Sequence, residues 1–339
     1  MTLTVPDLTV LTAADISGVI EADREACVEA VRLSYLWHDE GDSALPHSSF
    51  LRFPHRHRDR AIALPGYLGG GADVAGIKWI ASFPGNTAQG IPRASAVLVL
   101  NDVGTGYPYA LLEASVISAS RTAASAVLGA EQLIGGRRAP TVAFIGTGLI
   151  ADHVRRFLRD LKWDVDAYRL YDLDPAAAAT FGTALKDDGA EDITVCTDIA
   201  DAMAADLVVL ATVAGEPHLH DPALLAHRPV VLHLSLRDLG PELVLAAQNV
   251  TDDIDHAVRE RTSLHLTVQQ TGNRDFVDGT LADLLTGRLR RDPERAAIFA
   301  PFGLGVLDLA VGAWAFEQVV AAGGGRSIPG FFPSSGVTS

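Results

Sequence analysis

Residues 141–151, with the sequence TVAFIGTGLIA, decide the fold of this chain. Their first five residues form a continuous apolar run, which predicts a strand buried on both faces, and residues 149–161 have the spacing of an amphipathic helix. Between them, Gly146 allows a tight turn and Gly148 lets the backbone approach a pyrophosphate. A strand, a GxGxxA turn and a helix in this order predict a dinucleotide-binding βαβ unit, with the phosphates at the N-terminus of the helix.

The segment after this unit indicates which dinucleotide binds. Residues 167–172 read as the second strand and end in Asp172, where a carboxylate accepts hydrogen bonds from ribose hydroxyls and repels a 2′-phosphate. The following residues, LDPAAAAT, contain no Arg or Lys. The pattern therefore favours NAD over NADP. The alternative is a glycine-rich turn in an α/β protein that binds no nucleotide.

The rest of the chain divides into two patterns. Downstream, strands alternate with helices, which predicts a doubly wound parallel sheet. These segments are a helix at 174–187, a strand at 193–196, and helix-then-strand pairs at 198–212 and 223–236. Upstream, Gly/Pro clusters separate short strands, which is typical of an antiparallel or mixed sheet. The predicted elements here are a helix at 13–40, strands at 61–69, 76–83 and 94–102, and a helix at 109–134. A last helix at 302–322 could return to the first domain, and 323–339 read as a loose tail.

Composition excludes several classes of partner. The chain has 339 residues, which is long enough for two domains, and a net charge of −15, which argues against nucleic acid and polybasic membrane association. No apolar stretch is long enough to predict a transmembrane helix. The two cysteines, Cys27 and Cys196, read as thiols in a reducing compartment, and the acid at Asp7 argues against a signal peptide. We therefore expect a soluble, cytoplasmic enzyme.

Three charged residues are candidates for chemistry. Lys78 lies in the otherwise apolar strand GIKWIASF and is either paired with an anion or exposed. Arg121 lies among small residues of a helix, where its guanidinium either binds a carboxylate or phosphate or is solvated. Asp238 follows the strand VVLHLSL at the carboxyl edge of the predicted sheet, and its alternative role is a cap or turn former. The His-rich pieces 54–59 and 216–221 lack structural-zinc spacing, so we interpret them as solvated loops and expect no metal.

Around these residues the chain resembles the ornithine cyclodeaminase/μ-crystallin family over nearly its whole length. The segments that carry the resemblance are GIKWIASFPGN (76–86), GIPRASAVLVLNDVGTGYP (90–108), ISASRTAASAVL (117–128), LHLSLRDLGPE (232–242), GNRDF (272–276) and PFGLGVLDLAVG (301–312). The resemblance implies an α/β protein in which an NAD-binding Rossmann domain is inserted in an α+β domain for substrate binding and homodimer formation. On this basis the Rossmann domain is expected at 131–300, the α+β domain at 1–130 plus 301–325, and the loose tail at 326–339.

The resemblance also implies roles for individual residues. Lys78 matches a lysine that contacts the substrate α-carboxylate, and Arg121 matches an arginine that touches both substrate and cofactor. Asp238 matches the proton donor or acceptor, so Asp238 and Lys78 are the predicted catalytic residues, and Arg52 matches a further substrate arginine. The expected cofactor-binding positions are Arg121, Gly146, Thr147, Gly148, Leu149, Ile150, Asp172, Thr212, Leu234 and Ser235.

Departures from the cyclodeaminase pattern narrow the expected activity. Arg93 replaces a threonine, Pro241 and Glu242 replace Gly-Lys, and Pro301 replaces a serine near the nicotinamide. The extra cation at Arg93 suits a substrate with several carboxylates. The pattern is most similar to a branch of NAD-dependent dehydrogenases that release L-2,3-diaminopropionate and 2-oxoglutarate from an amino-acid conjugate, for siderophore or peptide-antibiotic synthesis. The alternatives are an ornithine cyclodeaminase, an alanine dehydrogenase or ketimine reductase, and a μ-crystallin-like protein that binds small ligands.

Overall fold

The computed structural model describes residues 5–333 and separates into two compact units. The first unit comprises the chain up to Arg121 and again from Leu304 onwards, and the second comprises Thr122–Gly303. The division falls within helix α3, Ser115–Ile134. The α/β class with a parallel Rossmann-type sheet, expected from the sequence, is confirmed. Within residues 5–333, no helix is long and apolar enough to cross a membrane.

The first unit is built on a mixed sheet covered by helices. Its strands are β1 (Leu8–Leu11), β2 (Ser43–Ala44), β3 (Ser49–Phe53), β4 (Arg56–Leu68), β5 (Val74–Ser82), β6 (Ala94–Asp102), β7 (Pro108–Glu113) and β16 (Arg326–Ile328). They are ordered β16-β1-β7-β6-β5-β4-β2, with β3 also paired to β4. The helices wholly in this unit are α1 (Ala13–Ala22), α2 (Arg24–Asp39) and α11 (Gly305–Ala321), and a 3-10 helix spans Pro84–Gln89.

Helix α11 lies against one face of this sheet and contacts β4, β5, β6 and α2. It is apolar on nearly all sides, which is the pattern of a buried helix. At Gly312 a Cβ atom would lie 2.3 Å from Leu98 Cδ2, so glycine lets α11 approach β6 closely without displacing the Leu98 side chain. The helix therefore brings its side chains directly onto the face of β5 and β6.

The second unit is an open parallel sheet. Its strands are β8 (Thr141–Ile145), β9 (Ala167–Tyr171), β10 (Asp192–Val195), β11 (Leu207–Leu210), β12 (Val230–His233), β13 (Ala247–Thr251), β14 (Val277–Thr280) and β15 (Ala296–Phe299). Its helices are α4 (Leu149–Asp160), α5 (Pro175–Asp187), α6 (Ile199–Met203), α7 (Pro241–Leu245), α8 (Ile254–Ala257), α9 (Ser263–Thr271) and α10 (Leu281–Thr286), with a 3-10 helix at Pro222–Leu225.

The strand order β10-β9-β8-β11-β12-β15-β13-β14 reverses direction at β8. Strand β8 pairs in parallel with β9 on one side and with β11 on the other. In open α/β sheets, ligands bind beyond the carboxyl ends of the strands at this switch point. The segments that follow β8, β9, β11 and β12 are therefore the ones that position a site.

Several local expectations from the sequence are wrong. Residues 108–113 form strand β7 rather than the start of a helix, because they pair with both β1 and β6. The helix expected at 13–40 is two helices, since Asp23 ends α1 and its side chain accepts a hydrogen bond from the Ala26 N–H as the N-cap of α2.

Two segments expected to lack regular structure are also ordered. The piece at 54–59 belongs to the β3–β4 hairpin. The tail expected at 326–339 is not loose at Arg326–Ile328. These residues form an antiparallel pair with β1 and hydrogen-bond to the backbone groups at the edge of that strand. The remainder of that tail, from residue 334 on, lies outside the described residues.

Candidate functional site

The glycine turn after β8 has the geometry that a dinucleotide requires. Gly146 has φ +82°, and a Cβ atom there would lie 2.7 Å from Ala211 O and 2.9 Å from Thr212 N, so only glycine fits. Gly148 is the N-cap of α4, and a Cβ atom there would meet nothing within 4 Å. The space beside Gly148 is open, and the N–H groups in the first turn of a helix have no acceptor within the helix, which fits the phosphates of NAD.

Asp172 directly follows β9 and is hydrogen-bonded to the glycine turn. Its Oδ2 accepts hydrogen bonds from Thr147 N at 2.7 Å and Thr147 Oγ1 at 2.8 Å, and its Oδ1 accepts one from Asp174 N at 3.0 Å. Burial raises the pKa of Asp172, but the backbone hydrogen bonds from Asp174 and Thr147 outweigh it and hold the pKa below its usual range. The carboxylate is ionised and keeps lone pairs for ribose hydroxyls.

A buried carboxylate lies beyond the ends of β11 and β12. Asp238 is 0% exposed, and its Oδ1 accepts a hydrogen bond of 2.5 Å from Thr212 Oγ1 and lies 3.0 Å from His218 Nε2. Its Oδ2 contacts Ser235 Oγ and lies 3.3 Å from His233 Nε2. Burial raises the pKa of Asp238, but the hydrogen bond and charge of His233, followed by the hydroxyls, bring it well below its usual range. Asp238 is therefore ionised at neutral pH and accepts hydrogen bonds through both carboxylate oxygens.

The backbone ties His218 to the same carboxylate. The N–H groups of His218 and Leu219 both donate to Asp238 O at 3.0 Å, and Gly240 N donates to Leu219 O at 2.7 Å. Leu219 and Leu239 form an isolated parallel bridge. His218 is exposed, as expected for a solvated loop at 216–221, but this bridge also brings its side chain onto Asp238. In the sequence, His218 is marked only by the preceding Pro217, and this signal is too common to predict a contact with Asp238.

The remaining predicted cofactor positions lie around the glycine turn. Thr212 follows β11, and its backbone nitrogen lies against Gly146. Leu234 and Ser235 follow β12, and the N–H groups of both donate to Leu210 O. The second unit thus brings together the glycine turn, Thr212, Ser235 and Asp238.

In the first unit, Lys78 is paired with an anion. Its Nζ lies 2.6 Å from Asp308 Oδ2 on α11 and 3.2 Å from Ser118 Oγ, and Arg121 Nε lies 3.3 Å from Asp308 Oδ1. Lys78 is 2% exposed, Asp308 0% and Arg121 12%. Burial lowers the pKa of Lys78 to about 8, the charge of Asp308 opposes this, and the charge of Arg121 adds to it. Two cations therefore share one buried carboxylate.

Sequence reasoning missed Asp308. The available signal was a single carboxylate inside the apolar helix VLDLAVG, which is buried on all sides and so has to be paired. The partner could not be identified from the sequence because 230 residues separate Asp308 from Lys78.

The two other predicted substrate cations lie farther along the same face of the sheet. Arg52 is exposed, stands over the ring of Phe50 and is directly opposite Arg60, which is opposite Ser82. Arg93 Nε donates to Ser82 Oγ at 3.2 Å. Ser82 lies four residues after Lys78 on β5, so this row is about 13 Å from Lys78 along the strand. The structure joins Lys78 with Arg121, and gathers Arg52 and Arg93 in a separate row.

Comparisons with known proteins agree with this fold. The model of the ornithine cyclodeaminase/mu-crystallin family matches residues 8–323. An N-((2S)-2-amino-2-carboxyethyl)-L-glutamate dehydrogenase of Staphylococcus aureus is 27% identical, over 91% of this chain and 94% of that protein. The structure is similar to Thermococcus litoralis Delta(1)-pyrroline-2-carboxylate reductase in complex with NADH and L-proline, with a TM-score of 0.85, 23% identity and coverage of 94% and 100% of the two chains.

A third similar protein is an archaeal alanine dehydrogenase, a dimer with bound NAD. It superposes with a TM-score of 0.85 and 24% identity, over 96% of this chain and 100% of that chain. At these identities the two superpositions show the shared fold.

Proposed function

Because the chain belongs to the ornithine cyclodeaminase/mu-crystallin family, we propose that it is an NAD-dependent oxidoreductase that acts on a C–N bond of an amino-acid substrate. The observation that carries this proposal is the position of Asp238. Its carboxylate accepts a hydrogen bond from Thr212, whose backbone nitrogen lies against Gly146 of the glycine turn. A charged carboxylate beside the nucleotide loop suits a reaction in which hydride and proton leave the same substrate.

The second unit is proposed to hold NAD. The phosphates bind at Gly146, Thr147 and Gly148 and at the first helical residues Leu149 and Ile150, where helical N–H groups are available. Asp172 binds the ribose, and Thr212, Leu234 and Ser235 line the nicotinamide side. NAD supplies the hydride acceptor when bound. The absence of a cation in LDPAAAAT supports NAD rather than NADP.

The proposed substrate is N-(2-amino-2-carboxyethyl)-L-glutamate. With NAD⁺ and water it gives L-2,3-diaminopropionate, 2-oxoglutarate, NADH and a proton. The similarity to the S. aureus dehydrogenase and the arginine in place of threonine at position 93 support this choice. The products suit a pathway to a siderophore or peptide antibiotic in the cytoplasm.

Charge balance in the first unit supports a substrate with several carboxylates. Lys78 and Arg121 share the single negative charge of Asp308, so one positive charge remains there for a substrate α-carboxylate. Arg52 and Arg93 stand in the second row of the same sheet face and would bind the other carboxylates. Asp308 thereby positions Lys78 and Arg121 without neutralising the positive charge of both.

The second candidate is an alanine dehydrogenase or ketimine reductase. The favouring observation is that the Lys78–Asp308–Arg121 cluster alone leaves one net positive charge, which is enough for a monocarboxylate. Under this alternative Arg52 and Arg93 have no substrate role. The same cluster would also serve an ornithine cyclodeaminase, which regenerates NAD in each cycle.

One experiment separates these activities. Purified protein is incubated with NAD and, in parallel, the conjugate, L-alanine, L-proline and L-ornithine, while NADH absorbance is followed and 2-oxoglutarate is measured. We expect NADH and 2-oxoglutarate in equal amounts with the conjugate. NADH from L-alanine or L-proline alone would support the second candidate, and proline formed from ornithine without net NADH would indicate the cyclodeaminase. Binding of NAD without turnover of any substrate would indicate a binding protein.

The first unit is also proposed to form a homodimer. The sheet face opposite α11 carries Trp79 and Val97 as direct cross-strand neighbours, each 41% exposed. Ile77, Val99 and Leu111 form the adjoining cross-strand row. An apolar sheet face of this kind suits burial against a second copy.

A further inference from the structure

We propose that His218 carries the transferred proton and that Asp238 is the carboxylate that positions it. This assignment rests on the proposed oxidoreductase function and names the group that contacts the substrate. Asp238 is 0% exposed, whereas the His218 side chain, 3.0 Å away, is 41% exposed. In this pair, the imidazole is the member that a substrate can reach.

Backbone hydrogen bonds hold the His218 segment beside Asp238. The backbone N–H groups of His218 and Leu219 both donate to Asp238 O at 3.0 Å. Because Asp238 is ionised and can only accept a hydrogen bond, Nε2 of His218 carries the proton and donates it to Asp238 Oδ1 as a hydrogen bond. The neutral ring therefore presents Nδ1 as its acceptor, on the side opposite Asp238. A carboxylate that sets the tautomer and stabilises the imidazolium is the arrangement used in catalytic His–Asp pairs.

Asp238 itself is poorly suited to receive the proton. Thr212, Ser235, His233 and His218 all contact its two oxygens. Its pKa lies well below the usual range, chiefly because the hydrogen bond and charge of His233 outweigh burial. General acid–base catalysis is most efficient when the pKa of the group is near the working pH. Asp238 is instead suited to hold a constant negative charge behind His218.

The chemistry balances with one proton released per turnover. The secondary ammonium of the conjugate gives a proton to Nδ1 of His218, and NAD, when bound, would accept the hydride released as the C–H bond of the glutamate carbon breaks. This leaves an iminium carbon, to which water adds with loss of a proton. The nitrogen then takes a proton from His218, the C–N bond breaks, and the remaining hydroxyl proton protonates the amine product. His218 thus takes and returns the proton at the same nitrogen.

The first test compares His218→Ala with His220→Ala. His220 lies in the same loop, is more exposed, and contacts Glu242 Oε2 at 3.2 Å rather than Asp238. We expect His218→Ala to lower kcat about 10²- to 10⁴-fold with unchanged NAD affinity, and added imidazole to restore part of the rate. His220→Ala should keep kcat within about twofold of the wild type. Asp238→Asn should also lose most of kcat, without rescue by imidazole.

Other results would overturn the assignment. Near-normal kcat in His218→Ala, with turnover lost in Asp238→Asn, would make Asp238 the proton carrier. Turnover is measured with whichever amino acid reduces NAD, so the failure of the conjugate alone contradicts only the proposed substrate. A second readout needs no turnover: ¹⁵N NMR of labelled histidine should show the Nε2–H tautomer at His218 in the wild type and its loss in Asp238→Asn. An Nδ1–H tautomer in the wild type would refute the pairing.

Discussion

Lys78 Nζ and Asp308 Oδ2 lie 2.6 Å apart in the interior of the first unit, although 230 residues separate them along the chain. The strand face of β5 and the buried side of α11 meet there, and Arg121 reaches the other oxygen of the same carboxylate. A buried ion pair recovers its desolvation cost only while both partners remain. The pair therefore ties the proposed substrate cations to the stability of the unit.

Asp308→Asn is expected to destabilise the protein by about 3–5 kcal/mol, because it leaves two buried cations without their carboxylate. Urea unfolding followed by circular dichroism measures this. The control is Glu317→Gln, an exposed carboxylate on the same helix, which should change the free energy of unfolding by about 0.5 kcal/mol or less. Equal stability of the two variants would show that the ion pair contributes little.

Activity should depend on the protonation of Lys78. Its pKa is lowered to about 8, so the ammonium is lost from the free enzyme as pH rises through that value. Because a neutral amine binds a carboxylate poorly, kcat/KM should fall above about pH 8, mainly through KM. Lys78→Arg keeps its charge and should lack this decline. A wild-type kcat/KM that stays constant up to about pH 9.5 would contradict the assignment.

The two glycines of the turn should respond differently to alanine. Gly146→Ala places a methyl group 2.7 Å from Ala211 O at φ +82°, so it should lower both Tm and NAD affinity. Gly148→Ala meets nothing within 4 Å, so Tm should be unchanged while NAD affinity falls by about tenfold or more, since the methyl group occupies the path of the pyrophosphate. Differential scanning fluorimetry with and without NAD measures both effects. Full NAD affinity in Gly148→Ala would place the nucleotide elsewhere.

Trp79→Glu should convert the proposed dimer into a monomer. A charge at the centre of an apolar interface is expected to weaken association by about 30-fold or more, which light scattering coupled to gel filtration detects. Val195→Glu is the control, since Val195 is an apolar residue of similar exposure in the second unit. A wild-type monomer at micromolar concentration, or loss of the dimer in the control, would argue against this face.

The local part of the site was predictable because its signal is contiguous. A buried strand, two glycines and a helix follow one another within residues 141–151, and Asp172 ends the next strand. Backbone sterics at Gly146 and the free N–H groups of a helix start depend on neighbours in the chain, so the sequence alone was sufficient. Lys78 and Arg121 also stood out, as charges in apolar or small-residue surroundings.

Segments with an ambiguous pattern needed tertiary information. The residues of β7 were predicted to be helical, and only pairing with β1 and β6 makes them a strand. Asp23 divides the first helical segment by capping α2 with its own side chain. Near the end of the described chain, β16 forms because the edge strand β1 has unpaired backbone groups with which it can hydrogen-bond.

The sequence by itself determined the α/β class, the parallel nucleotide-binding sheet and the charged residues worth testing, because helix and strand periods and glycine turns are local properties. Only the tertiary structure decided which charges act together. It placed Asp308 between Lys78 and Arg121, and it buried Asp238 while leaving His218 exposed at its side. Such pairings depend on strand register and helix packing over long separations, and hydrogen bonding and burial then decide which group of each pair can meet a ligand.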